Sequence, residues 1–154
     1  MTFRKLKRFL QTPFSQKLLI GEAVMLLAFS KVCILFFPLK KIIPYLGNLN
    51  CQLTDLPTTN LAIIATNIRN AILSASSNVP WRSVCLDQAL CCMLMLRRRK
   101  VSHSLCLGLK KDDMHQQLLA HAWIQLGEEI LIGGECSRSF ILIANFSTSY
   151  LKRA

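Results

Sequence analysis

Residues 80–90 read PWRSVCLDQAL, and within them a turn that contains Pro80 gives way to an apolar run with helical spacing. This change predicts a helix that begins close to Cys85. The unpaired N–H groups at a helix start carry partial positive charge, which favours the thiolate form of a cysteine placed there. The same N–H groups are suited to stabilise an oxyanion. Cys85 is therefore the candidate nucleophile.

A candidate base follows in the stretch AHAW, residues 120–123. Apolar and polar residues alternate there, which predicts a strand with His121 and Trp123 on one face. A cysteine on a helix start and a histidine on a later strand are typical of cysteine acyl-transfer sites. We predict that His121 is the general base and that Trp123 forms a wall that excludes water from its ring. Trp81 is predicted either to cover the mouth of the site or to fill the core.

The remaining histidines and cysteines point to no second site. His103 is in phase with three leucines and is predicted to pack at a strand end, whereas His115 lies in a charged turn and is predicted to be exposed. Cys91 and Cys92 lie in an apolar helical run and are predicted to be small buried side chains. The seven cysteines form no CxxC pair and their number is odd, which favours a reducing, cytoplasmic compartment. No zinc-ligand spacing is present, and we expect neither a metal nor a cofactor.

The spacing of apolar residues predicts the order of the elements. Helical periodicity covers residues 58–75 and 83–99, and a period of two follows at residues 103–109, 118–126 and 129–132. Residues 140–146 fit either a strand or a helix. Helices followed by a small antiparallel sheet make an α+β fold. Within one compact domain we expect a basic, apolar helical region over residues 1–57 and the core over residues 58–154.

Composition narrows the class of partner. The net charge is +11, hydrophobic residues make up 52% of the chain and its mean hydropathy is +0.36. Such a chain suits an acidic partner or an anionic lipid surface. Nucleic acid is not expected, because aromatic residues are few and no RNA-binding signature is present.

The apolar stretch over residues 18–37 follows a basic start and leaves three interpretations open. It is a helix that packs on the domain and ends at Pro38, a helix on the membrane surface, or a transmembrane helix. Glu22 and Lys31 interrupt the stretch, and a charge near the bilayer centre costs a few kcal/mol, which disfavours a spanning helix. Glu22 also disfavours export by a signal peptide.

Five features of residues 65–134 form a set, namely PWRSVCLxQA, a basic helix end, LxLG, AHAW and LIGG. Taken together, these motifs resemble the stand-alone leader peptidases of lasso-peptide biosynthesis, which are transglutaminase-like, papain-related cysteine enzymes. The resemblance implies a papain-like core and a cysteine endopeptidase that removes the leader from a ribosomally made precursor peptide. It also implies two partners, namely a separate small leader-recognition protein and an ATP-dependent macrolactam synthetase that closes the ring afterwards.

By this resemblance Cys85 is the nucleophile and His121 the base, but the third member departs from the pattern. An Asp is usual about a dozen residues after the histidine, and Gly133 occupies that position here. Glu135 is the candidate orienting group, with a backbone carbonyl as the alternative. Two other functions stay open. One is a transglutaminase-like acyl transferase, and the other is a non-catalytic, membrane-associated scaffold in which Cys85 is only a core thiol.

Overall fold

The computed structural model describes residues 13–50, 58–112 and 117–150. Its helices are α1 (Phe14–Phe36), α2 (Leu39–Ile42), α3 (Thr59–Ser76), α4 (Cys85–Arg98) and α5 (Gly134–Ser137), with a 3-10 turn at Ile43–Tyr45. Its strands are β1 (Asn48–Leu49), β2 (His103–Asp112), β3 (Gln117–Leu126), β4 (Glu129–Ile132) and β5 (Ile141–Thr148). The predicted α+β class, with helices followed by a small antiparallel sheet, is confirmed.

The five strands form one antiparallel sheet in the order β1-β5-β2-β3-β4. Residues 140–146, which fit either a strand or a helix by sequence, belong mostly to β5, because that segment pairs along β2. In the β2–β3 ladder Gly108 lies opposite His121. The short strand β4 pairs with the end of β3 and brings the chain back to Gly133. This return places the residue after β4 beside the candidate base.

The core lies between the sheet and two helices, α3 and α4. Most of the buried side chains of both layers are apolar, and burial of each apolar one contributes roughly 1.5–3 kcal/mol to stability. The apolar ones include Ile68, Ile72, Met95, Leu105, Ile124 and Phe146. The large buried area of α4 fixes the position of its first residue, Cys85, relative to β3.

The N-terminal helix α1 packs against α3 and α4 through Ala23, Leu27 and Ser30, which are buried. The two charges that interrupt its apolar sequence both pair with the core. Glu22 accepts hydrogen bonds from Arg99 at 2.6 and 3.2 Å and lies 3.0 Å from Arg98, while Lys31 lies 3.4 Å from Asp87. The hydrogen bond from Arg99 lowers the pKa of the Glu22 carboxyl. By length and composition α1 is also able to cross a membrane.

The first strand lies within the predicted N-terminal region. Leu49 of β1 pairs with Phe146 of β5, so residues 48–49 are part of the core sheet. Residues 51–57, which precede the predicted boundary of the core, lie outside the described part of the chain. The division at residue 57 stays a prediction.

Candidate active site

Cys85 is the first residue of α4, as the turn-to-helix pattern predicted. The preceding residue, Val84, is extended, and its carbonyl accepts the first helical hydrogen bond from the N–H of Gln88 at 3.1 Å. The Asp87 carboxylate turns back and accepts the Val84 N–H at 3.1 Å, which fixes the first turn. The next N–H groups along the chain have no carbonyl partner within the helix, so they are available near the Cys85 thiol.

A lysine from α1 holds the segment that precedes the thiol. Lys31 Nζ donates to the Arg82 carbonyl at 3.3 Å and to the Asp87 carboxylate at 3.4 Å. Asp87 is fully buried, and a buried carboxylate requires such a partner. Asp87 therefore serves the helix start.

His121 lies on β3, and its Nε2 is 2.7 Å from the carbonyl oxygen of Gly133. A carbonyl oxygen only accepts hydrogen bonds, so Nε2 must carry the ring proton. In the neutral imidazole the other nitrogen, Nδ1, then has a free lone pair. Nδ1 is therefore the ring nitrogen that is able to accept a proton.

Gly133 adopts a backbone conformation that only glycine tolerates at this position. Its φ is +81°, and an added Cβ would lie 2.8 Å from the Ala122 carbonyl oxygen and 2.9 Å from Trp123 Cβ. An aspartate therefore does not fit at this position of this backbone. The backbone carbonyl of the same residue meets the imidazole instead.

Glu135, the candidate orienting carboxylate, lies in the first turn of α5 and is exposed. It lines the cavity that also contains His121, but His121 Nε2 is occupied by the Gly133 carbonyl. The orienting role of Glu135 stays a prediction, and the geometry favours the backbone carbonyl that was its alternative.

Two aromatic rings flank the imidazole. The ring of Trp123 lies 5.9 Å from that of His121 and is nearly parallel to it, and Phe140 lies 5.0 Å away on a tilted plane. An added Cβ on Gly108 would come within 3.0 Å of both aromatic side chains, so this glycine makes room for them. The spacing argument placed Trp123 on the same strand face as His121, and the ring contact agrees with that position; its role as a wall that excludes water stays a prediction. Sequence reasoning missed Phe140, because that contact depends on how β5 and its preceding turn pack on the sheet.

Cys85 and His121 line one cavity of about 630 Å³ between α3, α4 and the β4–α5 turn. Its wall also includes Arg69, Leu73, Gln88 and residues 130–135. Gln88 was missed by sequence reasoning, although its position three residues after Cys85 on a helix places both on one face. Trp81 packs against the hydrophobic core and is not among the described residues that line the cavity. Its predicted place at the mouth stays a prediction.

The other described histidine, His103, lies apart from this cavity. It is fully buried, and its Nδ1–H donates to the Val101 carbonyl at 2.8 Å. Burial lowers the pKa of His103 to about 4, which leaves the ring neutral at pH 7. This agrees with the predicted packing at a strand end. His115 lies outside the described residues.

The neighbouring thiols are also buried. Burial raises the pKa of Cys91 to about 12 and that of Cys106 to about 11, and it raises the pKa of Cys92 as well. These thiols stay protonated and unreactive at neutral pH. Over the described ranges, no group of three or more His, Cys, Asp or Glu side chains is placed to hold a metal ion.

Comparison with protein families matches the chain to the transglutaminase-like superfamily. The model of the transglutaminase-like superfamily covers residues 46–143, which include Cys85, His121 and Gly133. The chain belongs to the transglutaminase-like superfamily. Members of the transglutaminase-like superfamily are usually cysteine proteases or acyl transferases, so cysteine-based acyl chemistry is the activity that this membership supports. No curated protein and no solved structure shows a significant match to the chain.

Proposed function

We propose that this protein is a cysteine endopeptidase that removes the leader from a ribosomally made lasso-peptide precursor. An ATP-dependent macrolactam synthetase then closes the ring on the freed amine. The observation that carries the catalytic part is the shared cavity of Cys85, at a helix start, and His121, whose tautomer is fixed by Gly133. The substrate class is supported by the motif resemblance within residues 65–134.

In this mechanism His121 Nδ1 accepts the thiol proton, and the Cys85 thiolate attacks the carbonyl carbon at the leader junction. N–H groups in the first turn of α4 stabilise the oxyanion of the tetrahedral intermediate. As the C–N bond breaks, the imidazolium returns its proton to the leaving amine, which is the new N-terminus of the core peptide. Water then attacks the thioester with His121 as base, which releases the leader as a carboxylate and regenerates the thiol.

The Gly133 carbonyl takes the positioning role that a carboxylate has in a triad. An orienting group mainly fixes the tautomer and the ring geometry of the histidine. A neutral carbonyl supplies both through one hydrogen bond, although it stabilises the imidazolium less than a carboxylate does. We therefore expect Glu135→Gln to lower the cleavage rate far less than His121→Ala. A loss as large as that of His121→Ala would identify Glu135 as the third catalytic group.

A separate small leader-recognition protein presents the precursor in this proposal. A cavity of about 630 Å³ holds a few residues around the scissile bond, whereas recognition of a whole leader requires a larger surface. The setting is cytoplasmic. Five free cysteines among the described residues support a reducing compartment.

The test is cleavage of the precursor in the presence of the recognition protein, with the product masses measured. The wild-type protein should yield two fragments that together account for the precursor plus one water. Cys85→Ala should yield none while keeping the wild-type circular dichroism spectrum. Cys33→Ala is the matched control, because Cys33 is also partly buried but does not line the catalytic cavity, and this variant should cleave normally.

The same masses discriminate between the candidate functions. A product joined to an amine would identify an acyl transferase instead of a peptidase. Full cleavage by Cys85→Ala would refute the proposed nucleophile.

A further inference from the structure

One side of α1 carries an apolar stripe that faces away from the protein. At about 100° per residue the members of the stripe fall within an arc of about 60°. Each is at least half exposed, and we call them the α1 face: Phe14, Leu18, Met25, Phe29, Val32 and Phe36. A helix of 23 residues with such a face is about 35 Å long, and a monomer rarely leaves a patch of this extent in water.

The charged side chains of α1 between residues 18 and 36 do not interrupt this face. Glu22 pairs with Arg98 at the end of α4 and with Arg99, which follows it, and Lys31 pairs with the buried Asp87. Both charged side chains therefore form ion pairs with residues of the core, at the sides of the helix. The α1 face therefore contains no ionised side chain over about five turns of the helix.

Basic residues and further apolar side chains continue the surface beyond α1. Lys40 and Lys41 of α2 are exposed, and Phe37 and Tyr45 are at least half exposed close to them in the chain. A second cavity, of about 720 Å³, is lined by Phe29 of the α1 face and by Phe37, Tyr45 and Lys41. The surface thus combines an apolar face with lysines at one end, on a chain whose net charge is +11.

We propose that the α1 face docks on the surface of an anionic lipid bilayer, with the helix axis parallel to the membrane plane. The apolar stripe enters the boundary between headgroups and acyl chains, and the lysines of α2 contact the anionic headgroups. An orientation in the membrane plane retains the ion pairs of Glu22 and Lys31 with the core. A spanning orientation would separate Glu22 and Lys31 from their partners and place both charges in hydrocarbon, which costs several kcal/mol.

The test is flotation of the full-length protein with phosphatidylcholine vesicles, with and without phosphatidylglycerol. The wild-type protein should float with the anionic vesicles and much less with the neutral ones, and added salt should weaken this binding. Met25→Glu, at the centre of the α1 face, should lower the bound fraction at constant lipid at least about tenfold. Ile63→Glu is the matched control, because Ile63 is 57% exposed on α3 and lies outside the α1 face.

Both variants should keep the wild-type circular dichroism spectrum and precursor cleavage in solution, so membrane docking is tested separately from catalysis. Equal flotation of Met25→Glu and wild type would overturn the proposal. A wild-type protein that does not bind anionic vesicles would overturn it too. A wild-type dimer that Met25→Glu dissociates, without any binding to vesicles, would assign the α1 face to a second copy of the chain and also overturn it.

Discussion

The helix α4 carries three cysteines in two contrasting environments. Cys85, in its first turn, lines a cavity together with His121, whereas Cys91 and Cys92 lie two turns further along and are fully buried. Burial raises the pKa of both inner thiols, so they stay protonated. The histidines divide in the same way, since His103 is sealed in the core. Cys85 and His121 therefore differ from the interior cysteines and histidine by their access to a cavity that they share, and not by residue type.

The largest expected difference is between the two histidines. His121→Ala removes the base from the cavity and should lower the precursor cleavage rate by a factor of about 10³ or more. Its free energy of unfolding should change little, because the ring lies at a cavity wall. His103→Gln should do the reverse, with near-normal cleavage and lower stability. Cleavage rates and urea unfolding of both variants measure this difference. Equal losses of activity in the two variants would contradict it.

Gly133→Ala tests whether the backbone carbonyl positions the imidazole. The added Cβ meets the Ala122 carbonyl at 2.8 Å and φ is +81°, so the turn must shift and move the hydrogen-bond acceptor of His121. We expect a loss of roughly 10- to 100-fold in cleavage rate, with about 1–3 kcal/mol of destabilisation.

Gly134→Ala is its neighbouring control. The nearest atom to its added Cβ is a methyl carbon of Ile130 at 3.2 Å, and Gly134 does not have a positive φ. It should retain most of the activity. If Gly133→Ala cleaved as fast as Gly134→Ala, the carbonyl would not be the orienting group.

The interior histidine makes stability depend on pH. Burial lowers the pKa of His103 from 6.5 to about 4, so below pH 6.5 the unfolded chain binds a proton that the folded chain does not. Stability is therefore lost as pH falls from 6.5 towards 4, and the loss at pH 5 relative to pH 7 is about 2 kcal/mol. His103→Gln should lose that much less over the same interval. Urea titrations of both proteins at pH 7 and pH 5 measure the difference.

The smallest expected effect belongs to an interior thiol. Cys92→Ala removes one buried sulfur and should lower the free energy of unfolding by about 1 kcal/mol. The cleavage rate should stay at the wild-type value, because Cys92 does not line the catalytic cavity. A large loss of cleavage in this variant, with the fold intact, would show that reactivity in α4 extends beyond its first turn.

Local patterns predicted the elements of the fold well. The turn signal at Pro80 located the start of α4, and the two strand-like segments on either side of the turn at Gly127 and Glu128 located β3 and β4. Residues 140–146 were ambiguous because Ile141, Leu142 and Ile143 are consecutive apolar residues that fit neither period. Only pairing with β2, a long-range interaction, makes them a strand.

The site was predictable where it depends on short spacing and unpredictable where it depends on tertiary contacts. A helix start and an alternating strand predicted the positions of Cys85 and His121, which line one cavity; their catalytic pairing stays a prediction. The acceptor for His121 depends on the return of the chain after β4, and a carbonyl of Gly133 has no side-chain signature. The contact of Lys31 with Asp87 was unpredictable as well, because it joins residues that are 56 positions apart in the chain.

The most direct test of the central claim is the rate of Cys85 alkylation in the native protein. With iodoacetamide at neutral pH and peptide mapping by mass spectrometry, Cys85 should be modified well before Cys33, which is similarly half-buried, and before the buried Cys91 and Cys92. In His121→Ala the modification of Cys85 should slow, while that of Cys33 stays unchanged. A Cys85 that reacts no faster than Cys33, or whose rate does not depend on His121, would contradict the account.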